Sequence, residues 1–165
     1  MIAVTNATKV LHALDQQKIQ YQVINHPAVY TAEEADRYVA GYQFIRAKNL
    51  FLHSKDGYFL VILPDKQRLN MKLLAKELGT RRLSFASDQS MQSKLGSSTG
   101  AVSPFNLMNN SEHDVTVVID PTIAQSHDQI GCHPNDNTKT VILSVLDMIK
   151  FIRHCGNPIK ICRCS

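Results

Sequence analysis

Apolar and polar positions divide the chain into short segments with two different periods. The segment Lys48 to Pro64, KNLFLHSKDGYFLVILP, places Leu50, Leu52, Phe59, Val61 and Leu63 at strand spacing. Asp56-Gly57 in its middle is a dipeptide that tolerates positive φ, which predicts a tight hairpin turn. The second arm is apolar without a break from Phe59 to Leu63, which predicts burial on both faces. Lys48 stands apart, a cation at the mouth of the most hydrophobic hairpin in the chain. Two readings fit it: a solvated strand end, or a charge held where a ligand arrives.

Helical periods and caps organise the flanks. Asn6 is placed to cap a helix carrying Val10, Leu11 and Leu14, and Tyr21 to Ile24 alternates like a strand that His26-Pro27 stops. Thr31 and Glu34 form a capping box for a helix running to about Val39. Asn70 to Leu78 has a cap, an apolar stripe and a terminating Gly79; Ser87 caps a further helix carrying Met91 and Leu95, stopped by Gly96. Strands are expected at Leu83 to Phe85, Val115 to Ile119 and Thr140 to Leu143, with Ile123 to Asn137 polar and irregular between the last two. Ser144 opens a last helix with Leu146, Ile149 and Ile152 on one face, and Ile159 to Cys162 reads as a terminal strand. Helices and strands are interspersed irregularly around at least one hairpin. This predicts a compact α+β domain spanning 1–165 rather than a doubly wound parallel sheet.

With 165 residues and 44% hydrophobic positions the chain can build a core without staples. No apolar run is long enough to span a bilayer, and MIAVTNATKV lacks the charged and apolar regions of a signal peptide. A cytoplasmic protein that does not engage membranes is expected. The net charge of +4 is a mild bias, concentrated at Lys66, Arg68, Lys72, Lys76, Arg81, Arg82 and Lys94. Those residues read either as solvated helix faces or as a phosphate-contacting surface. Cys132, Cys155, Cys162 and Cys164 form no C-x-x-C pair and match no common zinc module, so reduced thiols and no bound metal are expected.

Familiar catalytic signatures are missing: no G-x-S-x-G, P-loop, G-x-G-x-x-G or H-E-x-x-H occurs. Two segments remain. His133-Pro134 lies in irregular sequence before a strand, as a turn residue or part of a site. The loop GSSTGAVSP, Gly96 to Pro104, could be a flexible turn, or could bring backbone N–H groups close to an oxyanion or carbonyl.

Taken together, these segments resemble the YbaK/ProX-type aminoacyl-tRNA editing domains, which are inserted in or associated with prolyl-tRNA synthetases. The matching residues are His26-Pro27 with Thr31 to Ala35, Lys48 to Leu52, Leu83 to Ala86, Gly100 to Phe105, Val115 to Asp120, and His133-Pro134 with Asn137 and Thr138. They occur in family order. Two features depart from the pattern: the connector YQFIRA lacks the Pro-Gly of many relatives, and Cys132 stands where an aromatic is commoner.

The resemblance implies a mixed, partly barrel-like β-sheet flanked by helices, and cofactor-free hydrolysis of an aminoacyl ester on mischarged tRNA(Pro). Lys48 would engage the 3′-terminal nucleotide. The loop from Gly100 through Ser103 and Pro104 would position the ester carbonyl, with Asn49 and His133 as neighbours and Val29, Tyr30 and Phe105 as pocket walls. GAVSPF looks more like the alanine-specific members than the cysteine-specific ones, so Ala-tRNA(Pro) is the first expectation and Cys-tRNA(Pro) or another small amino acid the second. The partners implied are the acceptor end of tRNA and prolyl-tRNA synthetase. A reading of another class is a non-catalytic tRNA- or synthetase-binding module; a cysteine-based metal or redox protein is a third.

Overall fold

A computed structural model describes residues 7–29, 31–97 and 101–165. The helices are α1 (Ala7–Gln16), α2 (Ala32–Val39), α3 (Met71–Leu78), α4 (Asp88–Leu95), α5 (Pro121–Ala124) and α6 (Val145–Cys155). The strands are β1 (Tyr21–Asn25), β2 (Ala47–Ser54), β3 (Gly57–Pro64), β4 (Ser84–Phe85), β5 (Val115–Ile119), β6 (Gln129–Cys132), β7 (Lys139–Ser144) and β8 (Ile159–Ile161). A 3-10 helix, Pro104–Asn109, follows the glycine-rich loop.

The strands form two sheets. One has the order β4-β2-β3-β5-β8, with β2 antiparallel to β3 and β4, and β5 parallel to β3 and β8. The other is antiparallel, β1-β7-β6. A parallel bridge between Ile45 and Ile130 joins them, and this seam gives the mixed α+β fold its partly barrel-like form.

The hairpin is central because β3 is apolar on both faces. Leu60 and Ile62 turn to a large core shared with Leu14 of α1, Phe105, Phe151 of α6 and Val141 of β7. Phe59, Val61 and Leu63 turn to a smaller one closed by Leu74 of α3 and by Cys164. Each such side chain contributes about 1.5–3 kcal/mol on leaving water. That burial on both faces holds β2, which carries Lys48, at a fixed position.

Most local expectations hold. Thr31, Asn70, Ser87 and Ser144 cap their helices through side-chain oxygens, and Gly79, Gly96 and Gly156 end theirs. Asn6 lies outside the described residues. Four expectations are corrected. Ser54 pairs with Gly57, so Lys55 and Asp56 are the turn residues and Gly57, at φ 149, opens β3. The Asp56 carboxylate is drawn aside to accept from Thr80 Oγ1 and the Arg81 N–H, both at 2.9 Å. The stretch expected to be irregular contains α5 and β6, because Ile130 and Cys132 find a core through pairing with β7. The α6 face turns on Val145, Met148, Phe151 and Ile152, leaving Leu146 63% exposed. Lys94 is no free cation: it pairs with Asp114 at 2.6 Å and Glu112 at 3.2 Å, over the Tyr58 ring.

Candidate active site

A cleft of about 300 Å³ opens at the seam between the sheets. Val29, Lys48, Asn49, Asp65, Val102 and His133 contribute to its lining. Residues as far apart in sequence as Val29 and His133 thus share one cavity.

The start of β2 is positioned from outside the sheet. Arg46 Nε donates to Asp36 of α2 at 3.1 Å, and its other nitrogens donate to the carbonyls of Phe44, Val39 and Tyr42. Its guanidinium lies 3.6 Å from the centre of the Phe44 ring. The ring in turn rests on Gly131, where a Cβ would stand 2.8 Å from Phe44 Cδ2 and closer still to Cε2. Only a residue without a side chain fits there. Arg46 and Phe44 therefore fasten α2 and the connector to both sheets, fixing the wall beside Lys48.

The Lys48 side chain forms no hydrogen bond or ion pair among the described residues, though it is only partly exposed. In register it faces Leu63, while Asn49 faces Ile62. Strand alternation puts Lys48 and Asn49 on opposite faces, so the cleft wraps around the strand end. Asn49 Oδ1 is buried without a hydrogen-bond partner. An acceptor in that state costs about 1–3 kcal/mol unless a donor arrives.

Another wall is His133, backed by the buried His26. His133 Nδ1 lies 2.8 Å from the Lys139 carbonyl. A carbonyl only accepts, so Nδ1 carries a proton, and in the tautomer with that single proton Nε2 is an acceptor. His26 is arranged differently: Nδ1–H donates to the Pro27 carbonyl, and Nε2 accepts from Thr140 Oγ1, both at 2.9 Å. His26 is buried and fully partnered, edge-on to His133 at 6.2 Å and stacked on Tyr38. It supports the wall and has no nitrogen left for substrate. Cys132, next to His133, is buried, and burial pushes its thiol up to about 12. It stays protonated near neutral pH and is no nucleophile.

The loops on either side of His133 are tied to both other walls. Asn137 donates from Nδ2 to the Val29 carbonyl at 3.0 Å and accepts the Val29 N–H on its own carbonyl. Ser103 and Asn106 form a reciprocal cap on the 3-10 helix: Asn106 Oδ1 accepts the Ser103 N–H at 2.6 Å, and Ser103 Oγ accepts from Phe105. Asn106 Nδ2 then donates to Asn135 Oδ1, linking the glycine-rich loop to the His133 segment.

Of the residues expected at a site, Lys48, Asn49, Val29 and His133 line this one cleft. Ser103, Pro104 and Phe105 do not line it: all three are buried, with the Phe105 ring edge-on to Phe151 at 5.1 Å. The loop reaches the cleft through Val102. Gly100 and Tyr30 lie outside the described residues. Asp65, Arg46, Thr140 and Asn106 were not expected; of these, only Asp65 carried a local signal, as a carboxylate directly after the strand-ending Pro64. Among the described residues no three His, Cys, Asp or Glu side chains converge as metal ligands.

Comparison with known proteins agrees with this architecture. A family model for the aminoacyl-tRNA editing domain matches residues 26–151. The prolyl-tRNA editing protein ProX of Acetoanaerobium sticklandii is 38% identical over 154 residues, 92% of this chain and 93% of that protein. The prolyl-tRNA synthetase associated domain-containing protein 1 of Bos taurus is 33% identical over 144 residues, 84% of each chain. In fold, the chain matches a solved structure described as a candidate trans-editing enzyme for prolyl tRNA synthetase. That match has a TM-score of 0.74 at 17% identity, covering 96% of this chain and 97% of the other. The chain belongs to the aminoacyl-tRNA editing domain family. Its type within that family is YbaK/ProX, and its class of activity is deacylation.

Proposed function

We propose that this protein edits mischarged tRNA(Pro) in the cytoplasm, releasing alanine from Ala-tRNA(Pro). The observation that carries the reading is one cleft holding both an unpaired cation, Lys48, and a histidine whose Nε2 is left as an acceptor. Hydrolysis adds water to the ester carbonyl carbon, passes through a tetrahedral oxyanion, and breaks the bond to the ribose oxygen, which leaves with a proton. The ester is already activated, so positioning supplies much of the rate.

Each residue then has a part. Lys48, on a rigid strand, holds the phosphate of the terminal nucleotide. A backbone N–H of the loop from Gly100 to Pro104 meets the oxyanion, a contact worth about 10²–10³ in rate; the Ser103 N–H is held by Asn106 and Pro104 has none. His133 Nε2 orients the water or the ribose hydroxyl, and Asn49 completes the contact beside Lys48. Val29 and Tyr30 bound the side-chain pocket, with Phe105 supporting the loop from below. Such a pocket excludes large side chains but separates similar small ones weakly. The substrate is the acceptor end of tRNA, and prolyl-tRNA synthetase is the natural partner.

The test is hydrolysis of Ala-tRNA(Pro), Cys-tRNA(Pro), Ser-tRNA(Pro) and Pro-tRNA(Pro) by the purified protein and by Lys48→Ala. Alanine release that Lys48→Ala abolishes is expected. No turnover on any ester by either protein overturns the reading. A second reading rests on the exposed Lys66, Arg68, Lys72, Lys76, Arg81 and Arg82. It is a module that binds tRNA without cleaving it, and it predicts salt-sensitive binding with no hydrolysis.

A further inference from the structure

The cleft holds a carboxylate with no assigned work. Asp65 follows Pro64 at the end of β3, and its N–H donates to the Arg46 carbonyl at 2.9 Å. That bond carries the hairpin register one step past Ala47 and Pro64, so Asp65 stands opposite Arg46. Side chains at 46, 48, 63 and 65 therefore share one face, and Lys48 and Asp65 are diagonal neighbours, about 7–8 Å apart in such a ladder. Both line the cleft.

Asp65 nonetheless has no cation of its own. Arg46 is committed to Asp36 and to three carbonyls. Neither Arg46 nor Lys48 forms an ion pair with Asp65, and the Asp65 side chain makes no hydrogen bond among the described residues. The cleft thus presents one negative and one positive group, separated and unpaired. A ligand with a cation and an anion at matching separation would satisfy both.

We propose that Asp65 receives the α-ammonium of the aminoacyl group while Lys48 holds the terminal phosphate. This rests on the deacylase reading above and adds to it the part of the substrate that is read by charge. An aminoacyl ester carries an amine that is largely protonated below pH of about 7.7, so the free amine distinguishes this substrate from a peptidyl or N-blocked ester. Two fixed, opposite charges also set the direction in which the ester enters, placing the carbonyl between them.

The experiment compares Ala-tRNA(Pro) with N-acetyl-Ala-tRNA(Pro), using the wild-type protein, Asp65→Asn and Asp65→Glu. Wild type is expected to favour the free amine by roughly tenfold or more in kcat/KM. Asp65→Asn should lose rate on the free amine but not on the acetylated ester, bringing the ratio close to one, and Asp65→Glu should restore part of the preference. A purely structural role for Asp65 would lower both rates together and leave the ratio unchanged. That result, or a wild type with no preference, overturns the ammonium subsite and leaves the deacylase reading intact. A wild type that cleaves neither ester overturns both.

Discussion

His133 gives its Nδ1–H to the carbonyl of Lys139, 2.8 Å away on the first residue of β7. The bond orients the ring from a strand and leaves Nε2 without a protein partner on a residue that lines the cleft. His133→Gln keeps the volume but loses the basic nitrogen. Hydrolysis of Ala-tRNA(Pro) should fall by about 10²-fold or more. Thermal unfolding should shift little, since the ring is only half-buried. Equal rates for variant and wild type would show that Nε2 plays no part.

Asn106 is buried and serves two loops at once, accepting from Ser103 and donating to Asn135. Asn106→Ala leaves the Ser103 N–H unsatisfied and should cost about 1–3 kcal/mol in urea denaturation. It should also lower kcat more than it raises KM, because it frees the loop and the His133 segment from each other. A stability loss with unchanged kcat would limit Asn106 to the fold.

Gly131→Ala places a methyl group against the Phe44 ring. Overpacking of this kind costs about 1–3 kcal/mol. Since Phe44 also stacks under Arg46, the double variant Gly131→Ala with Phe44→Leu should recover much of the loss. Additive losses, measured by chemical denaturation, would mean that the two positions do not touch.

Lys94 and Asp114 predict opposite pH limbs. Burial alone would raise the Asp114 carboxyl, but hydrogen bonds from Lys94 and Asn110 outweigh it and hold it below its usual value. Lys94 is raised, first through its bond to Asp114. The Asp114 contribution is complete above about pH 3.9 and fades as pH falls through the lower folded value. The Lys94 contribution is complete below about pH 10.4 and fades as pH rises through the raised one. Asp114→Asn should flatten both limbs of stability against pH, by less than about 1 kcal/mol, because Asp114 is 35% exposed and Lys94 keeps Glu112. Limbs parallel to wild type would contradict the pairing.

What the sequence made legible was local. The hairpin, five of the helices and their caps depend on residues a few positions apart, and Lys48 stood out because a cation interrupts an apolar pattern. Strand β6 was missed because QIGC is four residues with one glycine, and only pairing with β7 makes it a strand. The α6 face was misjudged because two phases of its sequence are apolar; contact of Phe151 with Phe105 selects one. Lys94 reads as surface charge until residues 18 and 20 positions away fold beside it. Asp65 has the composition of a turn, and its relation to Lys48 exists only through strand register.

The seam between the two sheets has a further consequence. Where Phe44 meets Gly131, the cleft is lined by a ring seated on bare main chain that paired strands hold in place. Backbone has no rotamers with which to yield. On that side the cleft can give way only through Phe44, whose ring cannot move toward Gly131. Room for a larger guest would therefore come from trimming Phe44, Val29 or Val102, with residue 131 kept as glycine.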